Sequence, residues 1–433
     1  MQSQSFPVIV SPLRLLAGLP SFLVIGEVQI TMPFIRLILL TFSVLICLGA
    51  SLVETVRAQE PAQQRPRRVN VEGAQAQKPD PAKTSNDEID EGDVVRVDTQ
   101  LVSVPAVVTN SSGRPLTGLR TENFLLFENG RQQRITDFAT TEAPFEIALL
   151  LDTSGSTRAD VSLIRQAANA FIEALRPGDR VALVGFNTVR QGGSVTALPE
   201  VLSKLTGDRK ELRLAIERLG SSSGTPFYDG LAVIANEIFM DAPAAEMRGR
   251  RALVALSDGV DSASESDFQT ARSRLTRGGI ASYFIQVNTE DFVEERLLRD
   301  CGDDGAVVLS RKQLERYRRL FFPKARREDY VDFCGMGQFE RMQISRDLYN
   351  LARREMNELA TATGGNNFLA ASLQDARAAF AKVANEIGTQ YSLGYYPDNK
   401  TRDGKFRTIR VEIQGLPEKA QVKAREGYYA PKS

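Results

Sequence analysis

Leu149-Leu150-Leu151-Asp152-Thr153-Ser154-Gly155-Ser156-Thr157 decides the fold. The run that leads into it, from Phe145 to Leu151, reads as a fully buried strand. It ends in an aspartate and two serines one residue apart. A helical pattern follows from Asp160 to Arg176, with Leu163, Ala167, Ala170, Phe171 and Leu175 on one stripe. Asp152 offers a carboxylate, Ser154 and Ser156 offer neutral hydroxyls, and a tight turn at Gly155 lets all three face one hollow above the strand end. Oxygen donors of this kind suit a hard divalent cation. Mg²⁺ takes six oxygens in an octahedron and commonly keeps positions for water or ligand.

Downstream the alternation continues. Strands are predicted over 181–186, 252–256 and 280–287, with an edge strand at 194–198. Helices are predicted over 211–219, 227–240 and 267–277. This order implies an α/β fold with a doubly wound, mostly parallel sheet and helices on both faces. Such sheets bind ligands beyond the carboxyl ends of their strands.

The D-x-S-x-S at 152–156 resembles the opening of the metal-ion-dependent adhesion site of von Willebrand factor type A domains. In that family a threonine from a later loop and an aspartate from a still later strand complete the site. Gly224-Thr225-Pro226-Phe227-Tyr228-Asp229-Gly230-Leu231 is similar to the threonine loop, with Thr225 the ligand. Ala252-Leu253-Val254-Ala255-Leu256-Ser257-Asp258-Gly259 is similar to the family's fourth strand, ending in Asp258. The resemblance implies Mg²⁺, or Mn²⁺ or Ca²⁺, held by Asp152, Ser154, Ser156, Thr225 and Asp258, some contacts running through water. It implies a protein partner that offers a carboxylate to the open position. Phe186, Asn187, Thr188, Tyr228 and Asp229 would lie near the rim, and movement of the domain's last helix would couple to the site. Aspartate, serine and threonine also favour caps and turns, which gives the same residues a purely structural reading. Two further readings stay open: a metal-dependent hydrolase using the same ion, and a structural envelope protein with a vestigial site.

Composition narrows the chemistry. The 433 residues carry 54 Lys+Arg against 54 Asp+Glu, so no global basic field favours nucleic acid. Histidine is absent, which removes Ser-His-Asp and Cys-His catalysis and the His-bearing zinc sites. Gly220-Ser221-Ser222-Ser223-Gly224 matches G-x-S-x-G, but a helix precedes it and no histidine can serve as base. No phosphate-binding G-x-x-x-x-G-K-[ST] or G-x-G-x-x-G occurs. The expectation is a binding module rather than an enzyme.

Arg36 precedes an uncharged apolar run from Leu37 to about Val53, and small residues lead to a cut after Ala58. Residues 1–58 therefore read as a Sec-type signal peptide, with Met32 an alternative start and a retained anchor the alternative reading. Export places the chain in the periplasm or outside the cell, with no stable membrane span after cleavage. Residues 59–93, rich in Pro, Gln, Ala and charge, read as a flexible tether. Cys47 leaves with the signal, so Cys301 and Cys334 form an even pair in an oxidising compartment. A Cys301–Cys334 disulfide is expected, stabilising by about 3–4 kcal/mol on the loop-entropy model. Two free thiols found by alkylation and mass analysis of natively exported protein would refute it.

The α/β domain is predicted over 143–397, with an Arg- and Asp-rich insertion at about 290–345. Its last helix is marked by Leu373, Ala376, Phe380, Val383 and Ile387. Flanking it are a small β unit at 94–142, with a hairpin turning at Asn129-Gly130, and C-terminal strands at 405–413 and 420–425 within 398–433, joined by a strand at 391–396 at the domain's own end. Neither flank can build a core alone. The two are expected to pack into one sandwich-like unit, with the α/β domain inserted between them.

Overall fold

The computed structural model describes residues 101–432, apart from 141–142, 156–160, 192–193, 242–246, 248–249, 300–308 and 417–418. The predicted signal, tether, Ser156 and Cys301 lie outside the described residues.

The chain begins with β1 (Val102–Asn110), β2 (Phe124–Glu128), β3 (Arg131–Gln133) and β4 (Asp137–Ala139). The α/β region then runs β5 (Glu146–Leu151), α1 (Val161–Ala174), β6 (Arg180–Gln191), β7 (Ser194–Thr206), α2 (Arg209–Glu217), α3 (Phe227–Val233), β8 (Arg251–Ser257), α4 (Phe268–Gly278) and β9 (Ala281–Val287). It continues through α5 (Glu290–Arg299), α6 (Arg311–Phe321), α7 (Gln338–Thr363), β10 (Asn367–Ala370) and α8 (Ala376–Gly388). The last elements are β11 (Tyr391–Tyr395), β12 (Phe406–Ile413), β13 (Ala420–Ala424) and β14 (Gly427–Tyr429).

The central sheet has the order β10-β9-β8-β5-β6-β7. Every pairing is parallel except β6 with β7, which is antiparallel. β5 lies at the centre and alternates between two cores. Ile147, Leu149 and Leu151 pack on the side of α1 and α8, with Phe171 and Phe380. Ala148 and Leu150 pack on the side of α3, α4 and α7, with Phe227, Phe268 and Met356. Burial on both faces explains why β5 and β8 read as continuous apolar runs rather than alternating ones. Each fully buried Leu here contributes roughly 1.5–3 kcal/mol of transfer free energy.

The flanks meet as predicted. β1 pairs with β11 and β13, β11 with β4, and β12 with β2 and β14. Two four-stranded sheets result, β13-β1-β11-β4 and β14-β12-β2-β3. Val104, Ala106, Leu126, Tyr391, Leu393 and Tyr395 fill the core between them. Asn129 and Gly130 turn the β2–β3 hairpin at φ of 46° and 79°, the left-handed pair that a type I′ turn needs. The boundary predicted at 397 shifts: β11 belongs to the flanking sheets, because Tyr391 to Tyr395 pair with β1.

Both connectors into the α/β region converge on Arg250, which is only 2% exposed. Its guanidinium donates to the carbonyls of Thr140 (3.2 Å) and Ala143 on the incoming segment, and of Gln390 (2.8 Å) and Ile387 (3.5 Å) on the outgoing one. It also stacks on Phe145, 3.9 Å from the ring centre.

Other elements depart from the sequence reading in extent. β6 runs on to Gln191, so Phe186, Asn187 and Thr188 lie within the strand rather than past it. α3 stops at Val233 and passes into a π-helical turn at Ile234–Ile238. The insertion is helical, and its last helix, α7, reaches Thr363.

Candidate functional site

β5 and β8 are adjacent and in register, Leu151 opposite Leu256. The residues that follow each strand therefore emerge side by side. The Asp152 N–H donates to the Leu256 carbonyl at 2.9 Å, carrying the pairing one residue beyond the strand. Asp152 Oδ1 accepts from the Ser154 N–H at 2.9 Å, and Asp152 Oδ2 accepts from the Ser257 hydroxyl at 2.5 Å. Ser257 Oγ in turn accepts from the Gly259 N–H at 2.9 Å. Gly259 has a φ of +79°, and a Cβ there would strike Met356. Only glycine turns the chain so tightly after Asp258.

Asp258 is held from three sides. Its Oδ1 accepts from the Val260 N–H at 3.0 Å. Its Oδ2 accepts from the Thr289 hydroxyl at 2.7 Å and from Tyr349 Oη at 3.4 Å. Thr289 and Tyr349 lie 2.6 Å apart, oxygen to oxygen. The Gln286 amide donates to the Asp258 carbonyl at 3.2 Å. Thr289, Tyr349 and Gln286 are absent from the sequence-derived set. Only tertiary contact brings them in: Gln286 and Thr289 come from the adjacent strand end, and Tyr349 from the middle of α7. Ser257 was legible as the residue before the aspartate but carried no assigned role.

The threonine loop is tied to the same place. The Thr225 N–H donates to Ser262 Oγ at 2.9 Å, and the Thr225 carbonyl accepts from the Ser262 N–H at 3.0 Å. The Ser222 N–H donates to the Thr153 carbonyl at 3.0 Å, joining this loop to the one after β5. The structure thus brings the segments of Asp152, Ser154, Thr225 and Asp258 together at the carboxyl ends of β5 and β8. All four residues are buried, Thr225 being the most exposed at 5%. The expected rim is only partly found there. Tyr228 is buried, and Asp229 accepts from the Glu265 and Ser266 N–H groups as a loop cap. Thr188 accepts from the Ser223 N–H at 2.8 Å. The G-x-S-x-G serine turns inward, Ser222 Oγ donating to the Gly224 carbonyl at 2.7 Å.

The electrostatics of this site are unusual for an aspartate. Burial first, and the charge of Asp258 second, push the Asp152 carboxyl up to about 7, against the pull of its bonds to Ser257 and Ser154. Two buried carboxylates thus oppose one another. Among the described residues no group of three or more His, Cys, Asp or Glu is gathered. The donors are two carboxylates and neutral hydroxyls, an all-oxygen set that fits a hard cation and not a thiolate- or imidazole-ligated one.

Residues 146–313 match the family model described as the von Willebrand factor type A domain. Similar solved structures include a von Willebrand factor type A protein from Catenulispora acidiphila, at 13% identity, covering 78% of this chain and 75% of that one with a TM-score of 0.36. The conserved hypothetical protein BatB from Bacteroides thetaiotaomicron is 13% identical, covering 56% of this chain and 97% of that one with a TM-score of 0.34. Proximal thread matrix protein 1 from the mussel byssus is 11% identical, with 56% and 48% covered and a TM-score of 0.35. This chain therefore spans about half of the byssus protein. No curated protein matches.

Proposed function

We propose that this chain, which carries a von Willebrand factor type A domain over residues 146–313, is an exported binding module that captures an acidic group of a protein partner through a divalent cation. Asp152, Ser154, Ser156, Thr225 and Asp258 would hold the ion, with Mg²⁺ the first candidate and Mn²⁺ or Ca²⁺ the others. The observation that carries this reading is the opposed, buried pair Asp152 and Asp258 at neighbouring strand ends, with hydroxyl oxygens on the loops beside it. Asp152 and Asp258 would bring an ion held there only two formal negative charges, and the chemistry it would supply is attraction of a partner carboxylate.

The chain's own part is to position. Register between β5 and β8 sets the spacing of the two aspartates. Backbone N–H groups from Ser154 and Val260 aim one oxygen of each carboxylate, and Ser257 and Thr289 aim the other. The reading is binding without turnover, and what supports it is the absence of any histidine in the sequence to serve as a general base. Export through residues 1–58 belongs to the same reading. Among the described residues no helix is long and apolar enough to cross a membrane.

Calorimetric titration of Mg²⁺ and Mn²⁺ into the wild type and Asp152→Ala tests the metal. Saturable binding by the wild type alone supports it; equal binding by both, or by neither, defeats it. Capture of partners from envelope extract with and without EDTA tests the role of the ion, and captures unaffected by EDTA would contradict it.

A further inference from the structure

The insertion leaves apolar side chains and cations together on its surface, and the cation site uses neither. α6 is anchored on its inner side. Leu314 and Tyr317 are buried, and the Gln313 amide donates to Asp261 at 3.0 Å. Arg316 stands 3.9 Å from both Asp261 and Glu355, with its guanidinium over the Tyr228 ring. The end of the helix and the turn after it read Arg318-Arg319-Leu320-Phe321-Phe322-Pro323-Lys324. Here Leu320 is 54% exposed, Phe322 is 43% exposed and Pro323 is exposed beside them. Neighbouring apolar groups left in water mark a surface that is covered in use.

The turn is held in place. The Phe322 N–H donates to the Arg318 carbonyl at 2.7 Å, and the Arg318 guanidinium donates to the carbonyls of Ala325 at 3.0 Å and Pro323 at 3.4 Å. Phe322 stacks on Tyr330, ring centres 6.2 Å apart, and Phe321 stacks on Tyr317 at 4.8 Å. The exposed groups are thus already ordered, and little conformational entropy is lost when they are covered. Charge narrows what covers them. No acidic residue occurs from Arg316 to Arg327. Arg326 and Arg327 are countered by Asp329 at 3.3 Å and Glu315 at 2.8 Å. Arg319 and Lys324, one on each side of the apolar groups, are exposed and have no acidic partner among the described residues. Projecting apolar side chains straddled by two cations complement a surface that is negative outside and apolar just beneath. An anionic bilayer has that layering: the apolar groups enter the acyl boundary while the long cationic side chains keep their heads at the phosphates.

We propose that the turn Arg319–Lys324 is a membrane-contact site, with Leu320 and Phe322 entering the boundary of a bilayer that contains anionic phospholipid and Arg319 and Lys324 pairing with its phosphates. The contact does not involve the cation site, so its test is run in EDTA. The sequence has no tryptophan. Phe322→Trp therefore puts a single indole in the turn of the full-length chain, and Phe406→Trp, at an exposed position on β12, is the reference. Each is mixed with vesicles of phosphatidylglycerol and phosphatidylcholine, or of phosphatidylcholine alone, with and without brominated acyl chains. The Phe322→Trp indole is expected to shift to the blue and be quenched by the brominated anionic vesicles alone, and the Phe406→Trp indole to stay unchanged. Adding Arg319→Gln and Lys324→Gln is expected to weaken partitioning by about 25-fold, about fivefold for each cation removed. Thermal melts confirm the fold of the variants. In the unsubstituted chain, anionic vesicles are expected to slow amide hydrogen exchange in a peptide spanning 318–326. An unquenched indole at Phe322→Trp, equal quenching at Phe406→Trp or by neutral vesicles, or unchanged exchange over 318–326 would overturn the proposal. So would an equal blue shift with soluble poly-L-glutamate, which would assign the turn to an acidic protein surface.

Discussion

The substitution Asp152→Asn separates a site built for a cation from an ordinary buried turn, because it acts on stability and binding in opposite directions. Asp152 has its carboxyl raised from 3.8 to about 7, chiefly by burial and then by Asp258. A carboxylate raised in the folded state contributes stability that is full below the unfolded value and is lost as pH rises through the folded one. Across about three pH units that loss reaches roughly 4 kcal/mol in the metal-free protein. Asparagine cannot ionise and escapes it. The amide keeps an oxygen for the Ser154 N–H but costs the hydrogen bond now donated by Ser257, about 1 kcal/mol. At pH 8 in EDTA, D152N is therefore expected to be more stable than the wild type by about 2–3 kcal/mol, a rise of roughly 3–6 °C in Tm. At pH 4.5, where the wild-type carboxyl is protonated, D152N is expected to be slightly less stable. Added Mg²⁺ at pH 8 would raise the wild type's Tm and leave D152N unmoved. Melting curves at the two pH values, with and without Mg²⁺, supply every term. A difference between variants that does not change with pH would refute the opposed-carboxylate reasoning.

Three other outcomes follow from the geometry. Tyr349→Phe removes a hydroxyl 3.4 Å from Asp258 and 2.6 Å from Thr289, and Mg²⁺ affinity by calorimetry is expected to fall about tenfold with little change in Tm. Arg250→Ala leaves the connector carbonyls of Thr140, Ala143 and Gln390 without their donor, and urea unfolding is expected to show a loss of about 3–5 kcal/mol; a loss under about 1 kcal/mol would mean that Arg250 does not clasp the inserted region. Gly365→Ala would drive a Cβ into the Ser282 carbonyl where β10 joins β9, and is expected to cost about 3 kcal/mol or more by the same assay.

Much of this was legible in the sequence because it rests on local pattern. β5 and β8 are buried on both faces, so their composition announced central parallel strands, and an aspartate at the end of each announced a shared crevice. The Asn129-Gly130 turn was legible because its backbone demands those residues. What escaped depends on partners far along the chain. α7 was missed because its buried residues, Ile344, Tyr349, Ala352, Met356 and Leu359, are separated by Arg, Glu and Asn that disguise the stripe. β10 was missed because it is four residues long, and its short run Phe368-Leu369-Ala370 leaves Leu369 71% exposed, too brief a pattern to tell a strand from a turn. The support of Asp258 by Thr289 and Tyr349, and the meeting of Asp261 with Arg316 and Glu355, exist only once the insertion folds back on the sheet. Residue type alone could not pair them.

The most direct test of the account is a crystal of the exported protein grown with Mn²⁺ and measured for its anomalous signal. One peak is expected among Asp152, Ser154, Ser156, Thr225 and Asp258, with oxygen ligands at about 2.0–2.3 Å and one position left to water or a lattice carboxylate. Ordered side chains at these five positions with no peak between them, in protein saturated with the ion, would contradict it.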